Sequence, residues 1–191
     1  MSGARFNPAR IQANLTRWEA YMRAYHLPTW EQLPDLPLYM DQVVVLVNRY
    51  LDFIPRNDKE TTLATPSVVN NYVRLRLMPA PVRKRYDRVH LAYLIIICTL
   101  KQTMSIAEIA KLLPSDLTRE EVEAYYNRFC EKINVTAEIF IHQVRSAAGE
   151  LEGDAPPQDR AKSFVMTQAV SAALYRILTT KLVALGEEDT P

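Results

Sequence analysis

Apolar positions recur along this chain at intervals of three and four, the period of a helix with one buried face. Ile11, Leu15, Trp18 and Met22 step by four, three and four. Asn7-Pro8 in front of them supplies a cap and a first-position proline, so an amphipathic helix is predicted that ends before Pro28. Residues 27–37 hold three prolines and read as an irregular linker. In residues 38–54, Val43, Leu46, Val47, Tyr50, Leu51 and Ile54 form the inward face of a second helix. The polar stretch Arg56 to Thr62 reads as a turn region.

Thr65-Pro66 repeats the cap-plus-proline start, and Val69, Tyr72 and Val73 give the next helix an apolar side. Ser67, Asn70, Asn71 and Arg74 fall on its other side, with side chains that can reach base edges and phosphates in a major groove. Pro79-Ala80-Pro81 must stop this helix. A basic run follows, Arg83-Lys84-Arg85, then Tyr86 and a new helix near Asp87. Further on, Ser105 to Glu108 and Thr118 to Glu121 each have the spacing of a capping box. The second opens the longest helix, where Val122, Tyr126, Phe129, Ile133, Thr136 and Phe140 make a heptad seam. Residues 149–158 interrupt it with glycine and Pro-Pro. A last helix over residues 161–185 carries Val170, Leu174, Leu178, Leu182 and Leu185, with Gly186 at its C-cap. The two long helices form a hairpin whose seam is either intramolecular core or a coil shared between subunits.

A short polar-faced helix, a proline-bounded basic turn and a following helix are the sequence outline of a winged helix-turn-helix. The run Val69, Tyr72, Leu77, Met78, Pro79, Lys84, Tyr86, Leu91, Leu94, Ile97, Leu100, Ser105, Ile106, Glu108 and Ile109 resembles the DNA-binding domain of MerR-type regulators. Within that resemblance the chain is nearest to an uncharacterised bacterial domain-of-unknown-function group with similar Asn-Asn-Tyr-Val and Leu-Lys-Gln segments. Two positions depart from the MerR pattern: Asn70 stands where an arginine is usual, and Arg76 where the turn has a glycine.

The fold expected is therefore mainly all-α, with a MerR-like core, an extra N-terminal helix and a long C-terminal helical hairpin. Residues 1–36 would be the N-terminal helix and linker, 37–114 the helix-turn-helix domain, and 115–191 a dimerisation or effector region. Residues 65–76 would lie in the major groove of double-stranded DNA and residues 79–86 would be a basic wing on phosphate. The expected DNA-contacting set is Ser67, Asn70, Asn71, Tyr72, Arg74, Arg76, Arg83, Lys84, Arg85 and Tyr86, the two tyrosines packing with their hydroxyls free for backbone contacts. The resemblance implies a homodimeric transcriptional regulator with an effector of unspecified chemistry. The competing reading is a helical protein–protein interaction module without DNA binding, in which the basic cluster is a solvated face.

Charge bears on this choice only through its placement. The 191-residue chain has 48% hydrophobic residues and a formal net charge of +1, enough to fill a core but too balanced for global attraction to nucleic acid. Between Tyr72 and His90, however, Arg74, Arg76, Arg83, Lys84, Arg85 and Arg88 face Asp87 alone. Acid collects near the C-terminus at Glu150, Glu152, Asp154, Glu187, Glu188 and Asp189.

Gly3, Gly149, Gly153 and Gly186 are the only glycines, which excludes a glycine-rich phosphate loop or a dinucleotide fingerprint. Zinc-protease and nucleophile-elbow motifs are also missing, so no catalytic residue, cofactor or metal is expected. Cys98 and Cys130 sit in apolar helical patterns, as small hydrophobes in a reducing compartment do. Cys130 and His142 lie more than three helical turns apart and cannot share a metal within one helix. Residues 1–10 lack an apolar signal core, and the longest apolar run, 91–100, is too short to cross a bilayer. A cytoplasmic protein is expected.

Overall fold

The computed structural model describes residues 6–55 and 62–186. Apart from Thr62, the polar turn at Arg56 to Thr62 lies outside the described residues, as do Glu187, Glu188 and Asp189. Among the described residues the protein is mainly all-α: α1 (Pro8–Ala24), α2 (Met40–Tyr50), α3 (Pro66–Arg74), α4 (Arg88–Leu100), α5 (Ile106–Leu112), α6 (Arg119–Ala147) and α7 (Pro157–Leu185). Extended pairing within them is confined to two isolated antiparallel bridges.

Most helix starts are local chemistry. Asn7 Oδ1 accepts from Arg10 N–H at 3.2 Å, and Thr65 Oγ1 accepts from Val68 N–H at 3.2 Å. Both capping boxes form. Glu108 and Glu121 accept the backbone N–H of Ser105 and Thr118 at 2.7 and 2.8 Å, while the hydroxyls accept in return. Each reciprocal pair satisfies two donors that a helix start would otherwise leave unpaired.

The chain divides into two compact units, residues 1–26 with 132–181, and residues 27–131 with 182–191. The second unit is built around α4, in which every residue from His90 to Cys98 is buried. A helix buried on all sides must be covered all round. Val43 and Val47 of α2, Val69 and Tyr72 of α3, Ile109 of α5, and Val122 and Tyr126 of α6 are the other buried apolar side chains of this unit's α-helices among the described residues. Leu27, Trp30 and Leu33 are also buried there, so the proline-rich stretch read as a linker contributes to this core. The hydroxyl of Tyr126 donates to Pro28 O at 2.8 Å and that of Tyr93 to Pro114 O at 2.6 Å, pinning loops to helices.

The first unit comprises α1, the later part of α6, a 3-10 turn at Ala148–Leu151 and most of α7. Trp18 meets the edge of Phe140 at 5.3 Å, and Arg23 bridges Glu19 at 3.2 Å and Glu138 at 3.1 Å. Here the heptad seam departs from expectation. Val122 and Tyr126 are buried, but Thr136 and Phe140 are exposed, and Ile141, Val144 and Ala148 are buried instead. A straight helix drifts by about 20° per heptad against a strict seven-residue repeat. That drift does not account for the change, since Phe140 lies five whole turns after Val122; the two parts of α6 belong to different units, each with its own core.

Candidate nucleic-acid interface

The helix expected over residues 65–76 is present as α3, slightly shorter because Thr65 caps it and Leu75 ends it. Val69 and Tyr72 are buried beneath it. Ser67, Asn70 and Arg74 are exposed and Asn71 is half-buried, so the four polar residues share one outward face at helical spacing. Arg74 Nη2 donates to Asn71 Oδ1 at 2.7 Å, which holds the guanidinium along that face.

The end of α3 is a Schellman motif. Leu77 N–H donates to Tyr72 O and Arg76 N–H to Val73 O, both at 3.0 Å, with Arg76 at φ +55°. Glycine is preferred at that left-handed position because any Cβ is crowded there. The chain places an exposed arginine there.

The segment expected to be a wing contains a minimal hairpin turn. Val82 and Arg85 form an antiparallel bridge, Arg85 N–H donates to Val82 O at 2.9 Å, and the two residues between them, Arg83 and Lys84, have φ +51° and +62°. A bond spanning three residues with positive φ at both central positions marks a type I′ turn, where Asn-Gly is favoured. Arg83 and Lys84 are both exposed at the tip. Arg76, Arg83 and Lys84 are thus the non-glycine residues at positive φ among the described residues, and all three are basic.

Two ties hold these pieces to α2. Tyr86 exchanges both backbone hydrogen bonds with Leu38 just before α2, at 2.7 and 2.9 Å, which anchors the base of the hairpin. Asn48, buried within α2, donates to Ala64 O at 2.8 Å and accepts from Leu63 and Ala64 N–H at 2.7 and 3.2 Å. It thereby fastens the segment leading into α3. Sequence reasoning missed Asn48, although an amide inside an apolar helix face was a signal.

Other expected contacts are used differently. Tyr72 and Tyr86 are 6% and 3% exposed, so both rings pack as expected, and burial raises both phenol pKa values. The reason is that both lie on the inward side of their elements. Arg85 folds back over the Tyr39 ring, 3.3 Å from its centroid, and hydrogen-bonds the Tyr39 hydroxyl. Arg88 donates to Leu33 O at 3.0 Å and is structural. Asp87 caps α4, and the hydrogen bond with His90 holds its carboxyl below the usual range.

A model of the domain of unknown function DUF1836 matches residues 28–129. The chain belongs to the DUF1836 family. The DUF1836 match covers nearly all of the 27–131 part of the second compact unit and contains every candidate DNA contact. No curated protein and no solved structure matches the chain.

Outside the DUF1836 unit, a cleft of about 690 Å³ in the first unit is lined by Trp18, Phe140, Phe164 and Tyr175 and by uncharged polar groups such as Gln143 and Gln168. Among the described residues, no three His, Cys, Asp or Glu side chains group as metal ligands, and no helix is long and apolar enough to cross a membrane. Burial pushes the Cys98 thiol up to about 12, which keeps it protonated and unreactive at neutral pH.

Proposed function

We propose that the protein is a transcriptional regulator that binds double-stranded DNA through its DUF1836 unit, in the manner of a MerR-like winged helix-turn-helix, and acts as a homodimer. Ser67, Asn70, Asn71 and Arg74 read base edges in the major groove. Arg76, Arg83 and Lys84 neutralise phosphates, with Arg85 joining them when it leaves Tyr39.

The observation that carries this reading is the coincidence of strain and charge. Left-handed backbone at a residue with a side chain costs of order 1 kcal/mol, and such outliers cluster where function needs the residue. Glycine or asparagine would relieve the cost at Arg76, Arg83 and Lys84. Basic side chains at all three, beside an outward polar helix face, fit a phosphate-binding surface better than a merely soluble one. The uncharged, aromatic cleft of the first unit suits an effector that is itself uncharged and at least partly aromatic.

The test is a selection of the purified protein against random duplex DNA at low and moderate salt. An enriched, two-fold symmetric motif whose affinity falls steeply with salt is the expected result. Absence of enrichment at low salt would turn the reading toward a protein-binding module.

A further inference from the structure

The unit formed by residues 1–26 and 132–181 holds more space than its own side chains fill. Its cleft of about 690 Å³ is far larger than the voids that close packing leaves in a domain interior. Of the side chains that line it, Val144 and Phe164 are buried, while Leu15, Trp18, Ala147, Gln168 and Ser171 are only half-buried. The open space lies where a fully packed unit would have core.

The two walls of the cleft differ in kind. From α1 and α6 come Leu15, Trp18, Phe140, Val144 and Ala147. From α7 come Phe164, Thr167, Gln168, Ser171, Ala172 and Tyr175, spaced by three and one so that they share one helix face. Four of those six carry a hydroxyl or an amide. Gln143 of α6 links the walls, its amide donating to the Tyr175 hydroxyl at 3.5 Å. Thr167 donates to Glu150 at 3.3 Å, but no side-chain hydrogen bond joins Gln168 or Ser171 to another described residue. An amide and a hydroxyl therefore line the cleft with donors and acceptors to spare. All twelve lining side chains are uncharged.

We infer that this cleft takes a neutral, flat phenolic molecule of two or three rings, its rings against Trp18 and Phe140 and its hydroxyl or carbonyl groups on Gln168 and Ser171. Charge, shape and size each narrow the choice. A carboxylate or ammonium group would lose water here and meet no counter-charge among the lining side chains. Trp18 and Phe140 already meet edge to face at 5.3 Å, and a further ring extends such contacts as an aliphatic chain cannot. A purely apolar ring system would leave the half-buried Gln168 and Ser171 without partners. Pockets of this volume hold ligands of about 20 non-hydrogen atoms, the size of two or three linked rings. The inference rests on the regulator reading for its consequence, since it names the chemical class of that regulator's effector. The binding itself is measured without DNA, so either can fail alone.

The test is isothermal titration calorimetry of the full chain with a dihydroxyisoflavone and a trihydroxystilbene as probes. At least one should bind once per chain with a dissociation constant below about 50 μM. A carboxylate analogue of that probe should bind at least about 10-fold more weakly. Gln168→Leu with Ser171→Ala should weaken the hydroxylated probe about 10-fold, yet leave the affinity of its unsubstituted parent ring system within about two-fold. Ala172→Trp, which fills the cleft from an exposed position on α7, should abolish binding with helical circular dichroism retained. Should that variant lose helicity, the Gln168 and Ser171 substitutions supply the comparison. No saturable heat with either probe, equal binding of the carboxylate analogue, or folded variants that bind like the wild type overturns the inference. Probe binding without any DNA enrichment would leave the cleft its ligand and remove only the regulatory role.

Discussion

Replacing the hairpin tip with the residues its backbone prefers, Arg83→Asn with Lys84→Gly, separates stability from function in one variant. Both residues sit in left-handed conformation, φ +51° and +62°, at roughly 1 kcal/mol each. Asn-Gly is the favoured pair for this turn, but glycine loses more chain entropy on folding, which offsets part of the relief by about 0.5–1 kcal/mol. The net expectation is a gain of about 1 kcal/mol, or about 2–4 °C in Tm for a chain of this length. The same change removes two cations from the tip. If both meet phosphate, the log–log salt slope falls by about 1.8, and affinity at about 0.1 M salt drops on the order of 50-fold. The companion variant Arg83→Ala/Lys84→Ala removes the charges but leaves the strain, so it should lose the affinity without gaining the stability. Thermal melts and fluorescence anisotropy across a salt series read both quantities. A stabilised Asn-Gly variant that binds DNA with wild-type affinity and slope would refute the idea that the strain is kept for phosphate contact.

Arg76→Gly should likewise stabilise by about 1 kcal/mol in urea denaturation, because the Schellman position favours glycine, while lowering the salt slope of DNA binding by about 0.9. Asn48→Ala should destabilise by about 2–4 kcal/mol, since it strands buried backbone groups at Ala64, and should weaken DNA binding through the loosened lead into α3. The depressed Asp87 carboxyl contributes stability that is fully present above the unfolded carboxylate pKa of about 3.9 and is lost as pH falls through the lower folded value. The stability difference between the wild type and Asp87→Asn, which keeps a capping side chain, should therefore persist at pH 6 and vanish in strong acid; a difference that grew on acidification would contradict the assignment.

The parts of this fold that were legible in the sequence are those decided over one helical turn. Caps at Asn7, Thr65, Ser105 and Thr118 are interactions between residues three apart, so spacing alone reveals them. The all-α class follows from a three-and-four periodicity repeated along the chain, and the outward set Ser67, Asn70, Asn71 and Arg74 follows from the same geometry. Even the unusual turn at Arg76 was visible as an arginine where a glycine belongs.

Tertiary structure decided whatever depends on residues far apart. Arg85 and Arg88 look like their basic neighbours in sequence, but Tyr39 and Leu33, some 46 and 55 positions away, take them up. Asn48 acts on Ala64, sixteen residues on, across a loop whose path no local rule sets. The buried stripe of α6 changes along the helix because residues 119–131 and 132–147 belong to different units, each with its own core. Most plainly, the apolar residues of α7 do not say by themselves which of them a single chain covers. Which of them are covered was decided by packing: Ala161 and Phe164 are buried, whereas Val170, Leu174 and Leu178 are exposed.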